Sequence, residues 1–343
     1  MKRILNTLFI STQGVYLKKE EDTVVATLDH KVLLKLPLIN LSGIVCFGNI
    51  RVSPMLLGHC ANMGVSVCFL EENGNFLARV QGPVSGNVLL RKTQYRFADD
   101  SQKCVKIAKN IVIAKIANSK TVLQRLLRDH KEKVNHNKLQ EAIMSLESNI
   151  ETVQNTNTIE TLRGIEGNSA RIYFSVFNEL IVAQKNDFIF NGRSRRPPLD
   201  KVNALLSFVY ALLHNDICSA LETVGLDPAV GYLHSDRPGR MSLALDMMEE
   251  FRPYFADRLV LSLINLKMIK PNDFEVLDNK AVLIKEAGRK TILKVYQERK
   301  QDEIYHPFIK EKMRLGLLFH TQSLLMARFM RGDIDGYPPF IWR

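Results

Sequence analysis

Gly82-Pro83-Val84-Ser85-Gly86 divides two rhythms in this chain. Before it, apolar residues recur with a period near two; after it, they recur near 3.6. Helix-hostile residues that coincide with such a change of period mark a linker. Upstream, Leu5-Asn6-Thr7-Leu8-Phe9-Ile10, Gly14-Val15-Tyr16-Leu17, Thr23-Val24-Val25-Ala26-Thr27, Lys31-Val32-Leu33-Leu34-Lys35-Leu36 and Gly43-Ile44-Val45-Cys46-Phe47 read as short strands. One helix interrupts them, opened by Ser53-Pro54 as cap and first turn and stopped at Gly64. Two more strands, Val65 to Leu70 and Phe76 to Val80, follow around the turn Glu72-Asn73-Gly74-Asn75. Downstream, the pattern predicts helices over residues 86–97, 100–130, 137–155, 158–184, 200–223 and 241–250, with more to about 330. The expected fold class is multidomain α+β: a small β-rich domain over residues 1–83, then a larger all-α domain over 84–343.

A chain of 343 residues exceeds what one core usually supports, which agrees with two domains. With 46% hydrophobic and 24% charged residues it is too apolar to be disordered. There is no run of eighteen or more uncharged apolar residues, and Met1-Lys2-Arg3-Ile4-Leu5-Asn6 runs into a strand with no cleavage site, so a cytoplasmic protein is expected. Cys46, Cys60, Cys68, Cys104 and Cys218 are odd in number and lie in apolar stretches without zinc or CxxC spacing; they read as reduced core thiols. The net charge is +11, and residues 101–140 alone carry 10 basic against 2 acidic side chains. In that block Lys103, Lys106 and Lys109 form a basic stripe opposite Val105, Ile111, Val112 and Ile116. Such a stripe attracts a polyanion, nucleic acid above all, or is simply a solvated face.

Three places in the helical part offer metal-binding side chains. In Arg163-Gly164-Ile165-Glu166-Gly167-Asn168-Ser169-Ala170, two glycines flank a glutamate inside a helical pattern. Each costs about 1 kcal/mol against alanine, which suggests a close approach to the backbone, although packing glycines around a surface glutamate would look the same. In Gly231-Tyr232-Leu233-His234-Ser235-Asp236-Arg237-Pro238-Gly239-Arg240, His234 ends an apolar strip and enters a polar turn. In the next helix Asp246 and Glu249, three apart, share one face and can converge on one cation, or form a solvated acidic face. Imidazole with carboxylates suits Mn²⁺, and Mg²⁺ where oxygen dominates. A cation so held polarises a phosphoryl oxygen and lowers the pKa of an attacking hydroxyl, so phosphoryl transfer is the expected chemistry. No Walker loop, GxSxG, HExxH or GxGxxG is present.

At these residues the chain resembles the CRISPR-associated adaptation nuclease-integrases, the Cas-one proteins, most closely the variety found with type I-C systems. The likeness spans essentially the whole chain. It is carried by Arg-Gly-Ile-Glu-Gly around Glu166, by Asn191-Gly192-Arg193-Ser194-Arg195-Arg196-Pro197-Pro198, and by the stretch from Gly231-Tyr232-Leu233-His234 to Arg252-Pro253. The resemblance implies that Glu166, His234 and Glu249 are the metal ligands, with Asp246 at a further acidic catalytic position near the metal. It leaves open how Asp246 and Glu249 divide the work. It further implies a homodimer formed through the β-rich domain, and a small Cas-two partner bridging two dimers into a heterohexamer. The implied reaction is attack of a DNA 3′-hydroxyl on a repeat phosphodiester, with double-stranded and branched DNA as substrates. Hydrolysis differs only in that water attacks.

Arg193, Arg195 and Arg196 precede a Pro-Pro pair that stiffens the loop. They are expected to hold guanidinium groups out toward phosphates, or else to cap neighbouring helix ends. Lys290 is a weaker candidate of the same kind. Two other functions remain open from sequence: a metal-dependent DNA repair nuclease, and a non-enzymatic DNA-binding scaffold whose acidic residues only balance helix ends.

Overall fold

The structure is a computed structural model that describes residues 6–72, 74, 76–80, 82, 88–130, 132 and 134–342. The expected linker falls mostly outside these: of its five residues only Gly82 is described.

The N-terminal part contains β1 (Asn6–Ile10), β2 (Tyr16–Glu20), β3 (Thr23–Leu28), β4 (Lys31–Pro37), β5 (Leu41–Phe47), β6 (Arg51–Val52), α1 (Pro54–Met63), β7 (Ser66–Leu70) and β8 (Phe76–Val80). They make two four-stranded sheets, ordered β4-β3-β2-β6 and β1-β5-β7-β8. In the second, β5 runs parallel to both β1 and β7, while β8 returns antiparallel. The helix between β6 and β7 begins and ends where its chemistry dictates. The Ser53 hydroxyl accepts from the Leu56 N–H, Pro54 fills the first turn, and Gly64 closes the helix at φ 70.

Alternation along β5 sorts its side chains into two cores. Ile44 and Cys46 join Leu17, Val24 and Leu56 between the two sheets. Val45 and Phe47 point the other way, into the core of the helical part. This sheet is therefore a wall shared by both cores, and Phe47 stacks on Phe208 with ring centroids 5.7 Å apart. Arg79 on β8 fastens the wall, donating to Glu222 at 3.0 Å and to Asn215 at 2.9 Å.

The rest is mostly helical: α2 (Val88–Ala98), α3 (Ser101–Asp129), α4 (His136–Asn155), α5 (Ile159–Ser175), α6 (Lys201–Thr223), α7 (Ser242–Phe251) and α8 (Arg258–Asn265). Then come β9 (Phe274–Val276), β10 (Val282–Ile284), α9 (Glu286–Gln301), β11 (Glu303–His306), β12 (Glu311–Arg314) and α10 (Leu315–Arg331). The pattern-based helices recur within a few residues, with two differences. The fifth ends at Ser175 and gives way to a 3-10 turn over Phe177–Leu180, where the sequence suggested continuation to 184. Two short antiparallel hairpins, β9–β10 and β11–β12, interrupt a region read as wholly helical. Strands of three and four residues are too short to show a period of two.

Along α3, Ile107, Ala108, Ile111, Val112, Ile116 and Leu123 are buried. Each fully buried isoleucine or leucine contributes about 1.5–3 kcal/mol over its exposed state. α4, α5 and α7 pack around this axis. The lysine stripe is largely engaged within the chain. Lys103 lies 4.4 Å from the Phe97 ring centre, Lys106 donates to the Asp335 carbonyl at 2.9 Å, and Lys109 donates to the Gln154 carbonyl at 3.0 Å. Among the described residues, only α6 is long and apolar enough to cross a membrane, and 67% of its apolar window is buried in the fold. All five cysteines are buried free thiols.

Candidate metal centre

Three elements meet at α3. α5 carries Glu166 in its middle, the loop before α7 carries His234, and α7 carries Asp246 and Glu249. α5 begins at Thr158, whose hydroxyl accepts from the Thr161 N–H. The loop is held against the start of α7 by a close approach at Gly231, where a Cβ would come within 2.6 Å of the Ser242 Cβ and 3.0 Å of Asp246 Oδ2.

Asp246 is fully buried, and the loop fills its carboxylate. Oδ2 accepts from the N–H groups of Tyr232 and Leu233 at 2.6 and 3.0 Å, and Oδ1 accepts from the His234 N–H at 2.9 Å. Oδ1 also lies 2.6 Å from His234 Nδ1. An ionised carboxylate only accepts, so Nδ1 carries the proton, and Nε2 has no hydrogen bond among the described residues. The expectation that Asp246 and Glu249 converge on one cation is corrected here, because both Asp246 oxygens are spent on the loop. Asp246 fixes the ring and tautomer of His234.

Glu249 is 1% exposed. Its Oε1 pairs with Arg252 Nη1 at 2.7 Å, and its Oε2 has Lys115 Nζ at 2.6 Å. Burial alone would push this carboxyl up, but the charges of Arg252 and Lys115 outweigh burial and hold it well below the usual carboxylate range. Although Lys115 is within ion-pair distance, Oε2 is buried without a well-aligned hydrogen bond. The same ammonium bonds Glu166 Oε1. A positive charge thus already stands between carboxylates from α5 and α7. Glu166 is partly exposed at 21% of its side chain.

Among the described residues, no three histidine, cysteine or acidic side chains already close on a point that would hold an ion. The two glutamates gather instead around Lys115, which the sequence reading did not single out. The signal was a lysine set inside Ile113-Ala114-Lys115-Ile116-Ala117, on a helix otherwise apolar at that level. The donor chemistry fits a divalent cation all the same. Two carboxylates converge on one positive charge, an oxygen of one is buried without an aligned donor, and an imidazole is clamped with Nε2 free of hydrogen bonds among the described residues.

The face of α5 that carries Gly164 and Gly167 is open. A Cβ at Gly164 or Gly167 would meet nothing within 4 Å, so neither glycine packs against this chain. Arg163 anchors α5 to the loop by donating to the Leu233 carbonyl.

The basic loop differs from expectation at its first arginine. Arg193 turns inward, donating to Asn203 Oδ1 at 2.6 Å and to the Ser194 carbonyl at 2.7 Å, with its guanidinium 5.3 Å from the Tyr210 ring centre. Burial lowers its pKa from the usual value. Asn203 also donates to the Gly192 carbonyl, so α6 offers this arginine better partners than solvent does. Arg195 and Arg196 are exposed and line a groove of about 610 Å³ with Phe76, Pro198 and Ile284. Lys290 is exposed on α9 and pairs with Glu286 at 2.7 Å.

On the far side of α7, Glu250 faces away from the metal centre. It accepts from the Tyr337 hydroxyl at 2.6 Å, the Phe340 N–H at 2.8 Å and the Gln322 amide at 3.1 Å. Asn118 on α3 reads the same tail, donating to the Phe340 carbonyl at 2.9 Å and accepting from the Trp342 N–H at 2.8 Å.

With this geometry in hand, comparison with known proteins is informative. The family model described as "CRISPR associated protein Cas1" matches residues 8–298. The chain is 56% identical over 343 residues to "CRISPR-associated endonuclease Cas1 1" of Chlorobaculum tepidum, covering 100% of both chains. It superposes on a casposase bound to integration product with a TM-score of 0.85 at 21% identity, over 99% of this chain and 95% of that one. It superposes on a chain of a Cas6-RT-Cas1–Cas2 complex with a TM-score of 0.82 at 21% identity, over 100% of this chain and 36% of that one. At such identities the two structures speak for the fold.

Proposed function

The chain belongs to the Cas1 family of CRISPR-associated proteins, and from that premise we propose that Glu166, His234 and Glu249 hold one divalent cation, Mn²⁺ or Mg²⁺, at a DNA phosphodiester. It is a nuclease of the CRISPR adaptation machinery. The observation that carries the site is the convergence of Glu166 and Glu249, from separate helices, on a single positive charge. The cation, once bound, supplies charge neutralisation at the phosphoryl group and lowers the pKa of the attacking hydroxyl. The chain's own residues do the positioning. His234 presents Nε2 because Asp246 holds Nδ1, and Arg252 keeps one oxygen of Glu249 fixed while the other faces Lys115. The open face at Gly164 and Gly167 gives a nucleic-acid backbone room to lie along α5 next to the turn that carries Glu166.

In this reading the reaction is strand transfer: a DNA 3′-hydroxyl, delivered in line, attacks a repeat phosphodiester and displaces a 3′-oxygen. Water takes its place in hydrolysis of branched or single-stranded DNA. Arg195 and Arg196 are the phosphate contacts of the loop, and Lys290 a peripheral one; Arg193 stiffens the loop from within. Residues 1–83 form the dimerisation domain and 84–343 the catalytic domain. Edge strand β4 supports the first assignment, because it exposes Val32 and Leu33 at 62% and 54%. A small Cas2-type partner bridges two dimers in this reading; the relative found in a Cas1–Cas2 complex supports such a partner. The scaffold alternative required acids that balance helix ends, whereas Glu166, Asp246 and Glu249 lie inside helices.

The test is transfer of a labelled duplex with free 3′-hydroxyls into repeat-containing plasmid, with the small partner, in Mn²⁺ or chelator, for wild type and His234→Ala. Joined products that require both metal and His234 are expected. Metal-dependent cutting with no joining would instead make the protein a repair-type nuclease.

A further inference from the structure

Lys115 is an unusual residue for its place. It lies on α3 between Ala114 and Ile116, both fully buried, and is itself 8% exposed. A buried ammonium costs several kcal/mol unless it is closely paired. Here it has two partners, Glu166 from α5 and Glu249 from α7, so three helices meet at its Nζ.

The two glutamates are already matched in charge without any metal. Two carboxylates, Glu166 and Glu249, face two fixed cations, Lys115 and Arg252. A divalent ion added to that set, even with the carboxylate of Asp246 behind His234, would leave a surplus of positive charge in a poorly solvated place. Arg252 is poorly suited to leave. It is engaged with Glu249 at 2.7 Å, its guanidinium stacks 5.0 Å from the Tyr210 ring centre, and a planar fork resists re-aiming. Lys115 is suited to leave. Its ammonium sits on a flexible four-carbon stem, and it faces Glu249 Oε2 as a charge without an aligned hydrogen bond.

We propose that Lys115 is an internal counter-ion that holds Glu166 and Glu249 together in the metal-free protein and must leave them for the divalent cation to bind. Lys115 then sets the affinity of the site. It keeps two carboxylates from repelling one another while the site is empty, and it opposes any cation too weakly held to displace it. This inference rests on the assignment of Glu166, His234 and Glu249 as the cation's ligands. Lys115 is a positioning residue, acting through the two glutamates.

The experiment uses the full chain and Mn²⁺ alone. Calorimetric titration is compared for wild type, Lys115→Met, Glu166→Gln and His234→Ala. In parallel, the reactivity of Lys115 toward an amine-acylating reagent is read by mass spectrometry in wild type, with and without saturating Mn²⁺. Lys115→Met should tighten Mn²⁺ binding at least about tenfold, since a competing charge has gone. Acylation of wild-type Lys115 should rise several-fold in Mn²⁺, because the displaced ammonium loses its partners. Equal or weaker binding by Lys115→Met, or labelling that Mn²⁺ leaves unchanged, overturns the proposal. Should Lys115→Met fail to fold, the wild-type labelling decides alone. If Glu166→Gln and His234→Ala abolish binding while Lys115→Met and the labelling show no effect, only the role of Lys115 falls. If those two variants bind Mn²⁺ as wild type does, the ligand assignment falls and takes this proposal with it.

Discussion

Glu166 stands between two glycines at which an added Cβ would meet nothing within 4 Å. Glycine inside a helix costs about 0.5–1 kcal/mol relative to alanine, and here no internal contact offsets that cost. Gly167→Ala should therefore stabilise the protein by about that amount in a denaturant titration, and should lower DNA cleavage and strand transfer if a DNA backbone needs the flank. A stabilised variant with undiminished activity would show that the open flank serves no substrate. The glycines were legible in the sequence because a helix that tolerates them is conspicuous. The roles of Asp246 and Lys115 were not. Spacing placed Asp246 and Glu249 on one face, but only the fold shows three backbone N–H groups filling Asp246. Lys115 reads as one more member of a basic block until α5 and α7 are brought beside it. Arg193 escaped for a similar reason, since its acceptors Asn203 and Ser207 lie ten and fourteen positions further on.

Among the elements, the segment after α7 departs most from its sequence signal. Pro253 lacks a donor and clashes with the preceding turn, which a regular α-helix does not accommodate. The chain instead widens into a π-helical turn over Arg252–Asp257 and continues as α8. A wider turn accommodates the missing N–H while the helical run goes on. It keeps Arg252 on Glu249 and buries Asp257 beneath Tyr210, whose hydroxyl donates to it at 2.6 Å. Burial pushes the Asp257 carboxyl up to about 6, against the pull of the Tyr210 hydroxyl and of Arg252. The folded state thus holds a proton that the unfolded state, with an ordinary aspartate near 3.8, has already lost. Stability from this group is complete below about pH 4 and is lost as pH rises through 6, a decline of about 3 kcal/mol. Asp257→Asn cannot ionise, so its urea midpoint should fall less between pH 4 and 8 than that of wild type; parallel profiles would contradict the assignment. The long helices, by contrast, were readable to within a few residues, because periodicity over 20 or 29 residues averages out local exceptions.

At the scale of the whole molecule, the change of period at residue 82 marks where strands give way to helices, yet it does not mark a gap between cores. The sheet containing β5 feeds both, and nothing in a strand's own alternation reveals that its outward face will be covered by α6. The C-terminal tail is equally distant from its partners in sequence. It is tied to Glu250 and Asn118, one residue and one helix away from Glu249. Deleting residues 337–343 would remove two of the three donors to the Glu250 carboxylate, those of Tyr337 and Phe340, and leave Gln322. The truncated chain should keep its helical circular dichroism but lose metal-dependent cleavage; full activity in the deletion would mean that α7 needs no support on that side.

Phe340 follows Glu250 by 90 residues, so α7 leaves the ribosome long before the tail that steadies it. The two glutamates on that helix cannot be held from both sides until synthesis has passed residue 342. A polypeptide released early from a broken message would carry every proposed ligand of the cation and still lack the buttress behind them.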